Sequence, residues 1–77
     1  MNKARRKWLS DVVAKLEDIQ NELTQVAMEE QESYDNIPDY LNCSDKAIDM
    51  EGNIDEINDI AYELDGLVTR INNIIDK

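Results

Sequence analysis

The carboxylates in the second half of the chain have the spacing that comes closest to metal-binding chemistry. Asp55, Asp59 and Glu63 recur every four residues, which would place them on one face of a helix. A carboxylate metal site in a helix bundle also uses Glu-x-x-His pairs, and this chain has no histidine. The segment from Asp49 does not follow the calcium-loop pattern, because Gly52 stands in the wrong register. We therefore expect no metal ligand, and we interpret these carboxylates as a solvated face.

The chain also lacks the usual residues of nucleophilic and acid–base catalysis. Cys43 is the only cysteine, and no imidazole is present to activate its thiol or to bind a metal beside it. Gly52 and Gly66 are too far apart to form a phosphate-binding loop. We predict no enzyme, no catalytic residue and no cofactor. A lone cysteine is typical of a reducing cytoplasm. Cys43 would be a loop thiol without a role; the alternatives are an intermolecular disulfide or a reactive thiol.

The apolar residues predict two long helices. In each half of the chain they are separated alternately by three and four residues, which is a heptad seam along one helix face. The first series is Leu9, Val12, Leu16, Ile19, Leu23 and Val26. The second series is Ala47, Met50, Ile54, Ile57, Ala61, Leu64, Val68, Ile71 and Ile75. Strands would need a period of two, which neither series has.

A break near the middle of the chain turns these helices into a hairpin. Pro38 cannot continue the first helix, and it favours a short helical turn over residues 39–41. Ser44 is a good N-cap for the second helix. We predict one domain, 1–77, with helices at about 3–33 and 45–76, a loop at 34–44 and antiparallel packing. Four apolar loop residues would either close the core or form an exposed recognition loop: Tyr34, Ile37, Tyr40 and Leu41.

The second helix carries a further apolar row beside its seam. Ile60, Leu67 and Ile74 are spaced by seven residues, and Trp8 adds a large side chain on the flank of the first helix. One neighbouring helix buries a seam but not so wide a stripe. We therefore expect the hairpin to dimerise into a four-helix bundle, or to complete a bundle with another protein, with these four residues at the interface.

The net charge of −10 is distributed unevenly. Folding the chain as a hairpin brings the basic residues of both termini to one end: Lys3, Arg5, Arg6, Lys7, Arg70 and Lys77. The loop end carries the acids Glu29, Glu30, Glu32, Asp35, Asp39, Asp45 and Asp49. This polarity favours an antiparallel arrangement of two hairpins. The alternative is that the basic start of the first helix contacts nucleic acid, with Trp8 stacking on a base, or an acidic surface of a host protein. The residues concerned are Lys3, Arg5, Arg6 and Lys7.

The acidic middle of the chain predicts a basic partner and disfavours nucleic acid, because it repels phosphate. The candidate partner-binding residues are the outward acids Asp49, Asp55, Glu56, Asp59 and Glu63, with Tyr62 as an aromatic anchor. The alternative is that this surface only keeps the protein soluble. Neither a membrane span nor a signal peptide is indicated, so we expect a cytoplasmic protein.

The first helix and the loop resemble a family of small phage proteins. The run from Glu29 to Pro38, with its Tyr34-Asp35-Asn36-Ile37-Pro38 turn, follows the basic start Met1–Lys7. This half of the chain resembles short uncharacterised acidic proteins encoded by phages and prophages of Gram-positive bacteria. The segment after the turn departs from that pattern. The resemblance implies a helical hairpin and a phage-associated origin, but no activity and no site residues.

Three functional hypotheses follow for the chain. The first is a phage-associated interaction protein, acting as an inhibitor that docks its acidic helical surface on a basic, nucleic-acid-binding host protein. The second is a structural or adaptor coiled-coil module that acts through oligomerisation. The third, a nucleic-acid binder that uses the basic end, fits the overall charge least well.

Overall fold

The structure, a computed structural model, describes residues 1–41 and 43–77 and is an all-α helical hairpin. Helix α1 spans Lys3–Asp35, a 3-10 turn spans Asp39–Leu41, and helix α2 spans Asp45–Ile75. The two helices pack against each other along a rod of 60 × 15 × 12 Å. The predicted fold class is confirmed, and α1 extends two residues beyond its predicted end.

Side-chain caps fix where both helices begin. The Asn2 side-chain oxygen accepts the backbone N–H of Arg5 at 2.8 Å, and the Ser44 hydroxyl oxygen accepts that of Ala47 at 3.2 Å. Each cap satisfies a backbone donor that has no partner within its helix. After Pro38, the N–H of Leu41 donates to the Pro38 carbonyl at 2.8 Å, which forms the predicted helical turn.

The predicted seam of α2 is confirmed. Its buried residues are Ala47, Ile54, Ala61 and Val68, spaced by seven. Between them lie half-buried residues that complete the alternation: Met50, Ile57, Leu64 and Ile71.

The predicted seam of α1 is only half right. Leu9, Leu16 and Leu23 are partly buried as expected, but the alternate positions are occupied by Val13, Gln20 and Ala27. Val13 is 6% exposed and Ala27 is 3% exposed, whereas Ile19 is 45% and Val26 is 50% exposed.

The polar residue in this seam is accommodated by a hydrogen bond. The Gln20 side-chain amide donates to the backbone carbonyl of Ala61 at 3.1 Å, so Gln20 faces α2 without leaving its amide unpaired. Ala27, Ala47 and Ala61 are small enough for the two helices to approach closely. The larger side chains of Ile19 and Val26 lie at the edge of the contact.

The predicted closure of the core by the loop is also only partly right. Tyr34 and Ile37 are half-buried, but Tyr40 is 85% exposed and Leu41 is 42% exposed. Tyr40 is the middle residue of the 3-10 turn, and its ring lies on the outside of that turn. The core is therefore thin: the buried apolar residues of the described chain are Val13, Ala27, Ala47, Ile54, Ala61 and Val68.

Candidate interaction surfaces

The heptad positions sort the remaining side chains by the side of the hairpin on which they lie. The seven positions of each heptad are lettered a to g, with Val13 and Ala47 at position a. The residues at position e of each helix form a row, and the e rows of the two helices lie together on one side of the hairpin. Thr24 and Gln31 of α1 line one surface depression together with Asn58 of α2. The residues at position g of each helix form a second row, and the g rows of the two helices lie together on the opposite side.

The g rows form one apolar face. Helix α1 contributes Val12, Ile19 and Val26, and helix α2 contributes Ile60, Leu67 and Ile74. The exposed fractions of the α2 members are 39%, 44% and 43% in that order. We call these six residues the apolar face: Val12, Ile19, Val26, Ile60, Leu67 and Ile74.

The e rows on the opposite side of the hairpin are polar, although Met28, which is 63% exposed, lines the same depression as Thr24 and Gln31. In α1 the residues of the e row are Ser10, Glu17, Thr24 and Gln31; in α2 they are Glu51, Asn58, Asp65 and Asn72. The hairpin as a whole is therefore amphipathic. Isolated exposed apolar residues are ordinary on protein surfaces, whereas the apolar face has five exposed residues and the half-buried Val12 in two adjoining rows. Such a contiguous patch is typical of an interaction site.

Trp8 lies at the basic end of the apolar face. It is 69% exposed, and it lines a surface depression with Met1, Arg5, Leu9 and Val12. Trp8 therefore does not close the core of the single hairpin. Its ring extends the apolar face towards the terminal end of the rod.

The structure brings both termini together at the basic end. The Arg6 guanidinium donates to the backbone carbonyl of Lys77 at 2.9 Å, while its Nε atom is buried without a hydrogen-bond partner. Lys3, Arg5 and Lys7 are exposed beside it. This end of the rod therefore presents several cations, and the loop end presents carboxylates.

The candidate partner-binding residues lie on the outer side of α2. Asp49, Asp55, Glu56, Asp59 and Glu63 are all exposed, and Tyr62 is 80% exposed among them. Gly52 and Gly66, on the same side of the helix, have open space where a Cβ would stand. The outer side of α2 is thus acidic, with one projecting aromatic ring.

Tyr34 connects the two helices near the loop. Its hydroxyl donates to the Glu51 carboxylate at 3.4 Å. The negative charge of Glu51 raises the pKa of Tyr34 above its ordinary value of 10.0, and partial desolvation raises it further. The phenol therefore stays protonated and can keep donating this hydrogen bond across the neutral range.

Other features of the described residues offer no assembled chemical site. Cys43 is an exposed free thiol in the loop. Within 1–41 and 43–77, no three or more Asp, Glu or Cys side chains are grouped in a way that could hold a metal ion. No described helix has an apolar stretch that could cross a membrane.

Comparison of the chain with protein-family models, with curated proteins and with solved structures finds no match.

Sequence reasoning found one half of the apolar face and missed the other. Ile60, Leu67 and Ile74 were predicted as an interface row, whereas Val12, Ile19 and Val26 were assigned to the seam. A signal for the correct assignment is present in the sequence. The series Leu9, Val13, Leu16, Gln20, Leu23 and Ala27 has the same alternation of three and four, with one polar member.

Proposed function

We propose that this protein is a non-enzymatic helical interaction module that works by packing its apolar face against helices of a partner. The apolar face is the observation that carries the proposal. Its two adjoining rows place six aliphatic side chains on one side of a thin hairpin. A module of this kind acts as a structural or adaptor unit whose activity lies in the assembly it forms.

The free energy gained by burying this face is large for a chain of this size. Completing the burial of one half-exposed aliphatic side chain is worth roughly 1 kcal/mol. A partner that covered all six residues would therefore recover about 6 kcal/mol from this hairpin alone. A domain of this size has marginal stability by itself, so association also stabilises its fold.

Replacing the α2 part of the face tests the proposal. The variant Ile60→Ser, Leu67→Ser and Ile74→Ser removes three apolar side chains and leaves the seam untouched. The protein, purified under native conditions from the cells that express it, is weighed by native mass spectrometry. We expect the unmodified chain to occur in a complex heavier than its own 8.9 kDa, and the variant to occur at 8.9 kDa.

A matched control places three serines on the other side of the same helix. Asn58→Ser, Asp65→Ser and Asn72→Ser have the same heptad spacing on the polar side, and we expect this variant to keep the heavier complex. An equal loss of the complex in both variants, or an unmodified chain that is always found alone, would refute the proposal.

A second candidate function rests on the outer side of α2. There Tyr62 projects among Asp55, Asp59 and Glu63, which is the arrangement expected of an aromatic anchor in a charged docking surface. The corresponding function is inhibition of a basic, nucleic-acid-binding protein by a rod that mimics the charge of phosphate. Tyr62 and these acids lie outside the apolar face, so both functions are compatible with one molecule.

Recovery of basic proteins from a bacterial lysate tests this second function. We expect capture at low salt, loss at high salt because the charges are screened, and loss at low salt when Tyr62→Ala is introduced. Tyr40→Ala is the matched control, because Tyr40 is equally exposed but lies in the loop. If no basic protein is recovered, the acidic surface serves solubility only.

The cellular setting belongs to the proposal as well. The resemblance of the first helix and loop to phage and prophage proteins supports an origin in a Gram-positive host. The lone thiol of Cys43 supports a reducing compartment, which makes the bacterial cytoplasm the proposed location.

A further inference from the structure

We infer that the apolar face is covered by a second copy of this chain that lies antiparallel to the first. The inference rests on the proposed function and names the partner of the same surface.

The α1 row has the symmetry that an isologous contact needs. Ile19 is the middle residue of α1, Lys3–Asp35, and Val12 and Val26 lie seven residues to either side of it. A two-fold axis perpendicular to the rod near Ile19 would superimpose this row on itself in the reverse direction. Val12 of each copy would then face Val26 of the other, as a self-complementary surface requires.

The α2 row adds to the same contact. Ile60, Leu67 and Ile74 lie on the same side as the α1 row; the Gln20–Ala61 hydrogen bond places Ile60 beside the axis, and Leu67 and Ile74 extend the contact towards the terminal end. The product is a four-helix bundle in which each hairpin supplies one layer. Its outer helix surfaces, including Tyr62 and the acids around it, stay accessible.

The charges at the two ends of the rod favour one orientation of the second copy over the other. The terminal end of the rod carries the exposed cations Lys3, Arg5 and Lys7, with Arg70 and Lys77. The loop end carries Glu29, Glu32, Asp35, Asp39 and Asp45. An antiparallel copy places each basic end beside the acidic loop end of its neighbour. A parallel copy would instead bring like charges together at both ends.

The native thiol reports this direction directly. Cys43 is exposed in the loop, at one end of the rod, so it accepts a nitroxide label without any substitution. Sixteen helical residues separate Ile19 from the end of α1, a rise of about 24 Å. An antiparallel dimer therefore holds its two labels about 50 Å apart, whereas a parallel dimer holds them within about 20 Å, two helix spacings.

The experiment is a double electron–electron resonance measurement on the full chain labelled at Cys43. We expect a distance distribution centred near 50 Å, about twice the rise of the sixteen helical residues. The labelled variant Ile60→Ser, Leu67→Ser and Ile74→Ser should lose the dipolar signal. The labelled control Asn58→Ser, Asp65→Ser and Asn72→Ser should keep both the signal and its distance.

Every other outcome would contradict the inference, and each would identify a different arrangement of the protein. Distances within about 20 Å would mean a parallel dimer. Absence of dipolar coupling in the unmodified chain would mean that it does not pair with itself. If native mass spectrometry still found a heavier complex with a different protein that was lost in the serine variant, the proposed function would stand and only the second copy would be rejected.

Discussion

Gly52 and Gly66 stand on the outer side of α2, where nothing lies within 4 Å of the position that a Cβ would take. Neither has a backbone conformation that only glycine adopts, because no positive-φ glycine occurs in the described chain. Glycine inside a helix lowers its stability, since its backbone loses more freedom on folding. At these two positions the residue therefore weakens α2 without a packing reason.

Replacing these glycines by alanine should stabilise the protein. We expect Gly52→Ala and Gly66→Ala each to raise the free energy of unfolding by up to about 1 kcal/mol. Urea unfolding followed by circular dichroism at one fixed protein concentration measures the change. Ala14→Gly, at an exposed position of α1, is the reverse control and should lower the free energy by a similar amount. Destabilisation by either alanine would show that the space is occupied in the assembled protein.

The same variants decide why the glycines are present. If they form a flat strip that lets a partner approach closely, an added methyl group would weaken the capture of a basic protein. If they are merely tolerated, capture should be unchanged while stability rises. The Tyr62→Ala variant, which we expect to lose capture of basic proteins, is the reference against which any weakening by the alanine variants is compared.

At the scale of the helices, the side of α1 that faces α2 includes one polar residue, Gln20. Gln20 occupies a seam position and is tied to the Ala61 carbonyl. A polar side chain at such a position fixes the register of paired helices at a cost in stability. Because Val13, Gln20 and Ala27 occupy the seam, Val12, Ile19 and Val26 lie beside it on the apolar face.

Replacing Gln20 by leucine should raise the stability of the hairpin. We expect Gln20→Leu to raise the free energy of unfolding by about 1 kcal/mol, because it buries more apolar area and the Ala61 carbonyl keeps its helical hydrogen bond. The measurement is the urea midpoint at fixed protein concentration. Gln25→Leu, on the exposed side of α1, is the control and should change the value by less than about 0.5 kcal/mol. A large loss of stability in Gln20→Leu would contradict this role for Gln20.

Much of this element-level structure could be predicted from the sequence alone. The apolar alternation predicted both helices, Pro38 predicted the break, and Ser44 predicted the start of α2, because each depends on short-range rules. The register of α1 could not be predicted in the same way. Two overlapping series fit its residues equally well in spacing, and the one that faces α2 contains Gln20, whose hydrogen bond to the Ala61 carbonyl is a long-range contact.

At the scale of the whole molecule, the hairpin is an amphipathic and electrically polar rod. Sequence reasoning anticipated its charged ends and the α2 half of its apolar face, since both follow from residue type and spacing. It did not anticipate that α1 would double that face, because this depends on how the two helices are rotated about their axes. The width of the apolar face is the observation on which the proposed association of the hairpin rests.

The central claim is that Ile19 lies outside the hairpin seam and becomes covered only when the protein assembles. The most direct measurement is the accessibility of its methyl groups to a soluble paramagnetic relaxation agent in nuclear magnetic resonance, compared with Val13 in the seam. We predict that both residues are protected in the assembled native chain. In the variant Ile60→Ser, Leu67→Ser and Ile74→Ser, Ile19 should become accessible while Val13 stays protected. Equal accessibility of Ile19 in the native chain and the variant would contradict the account.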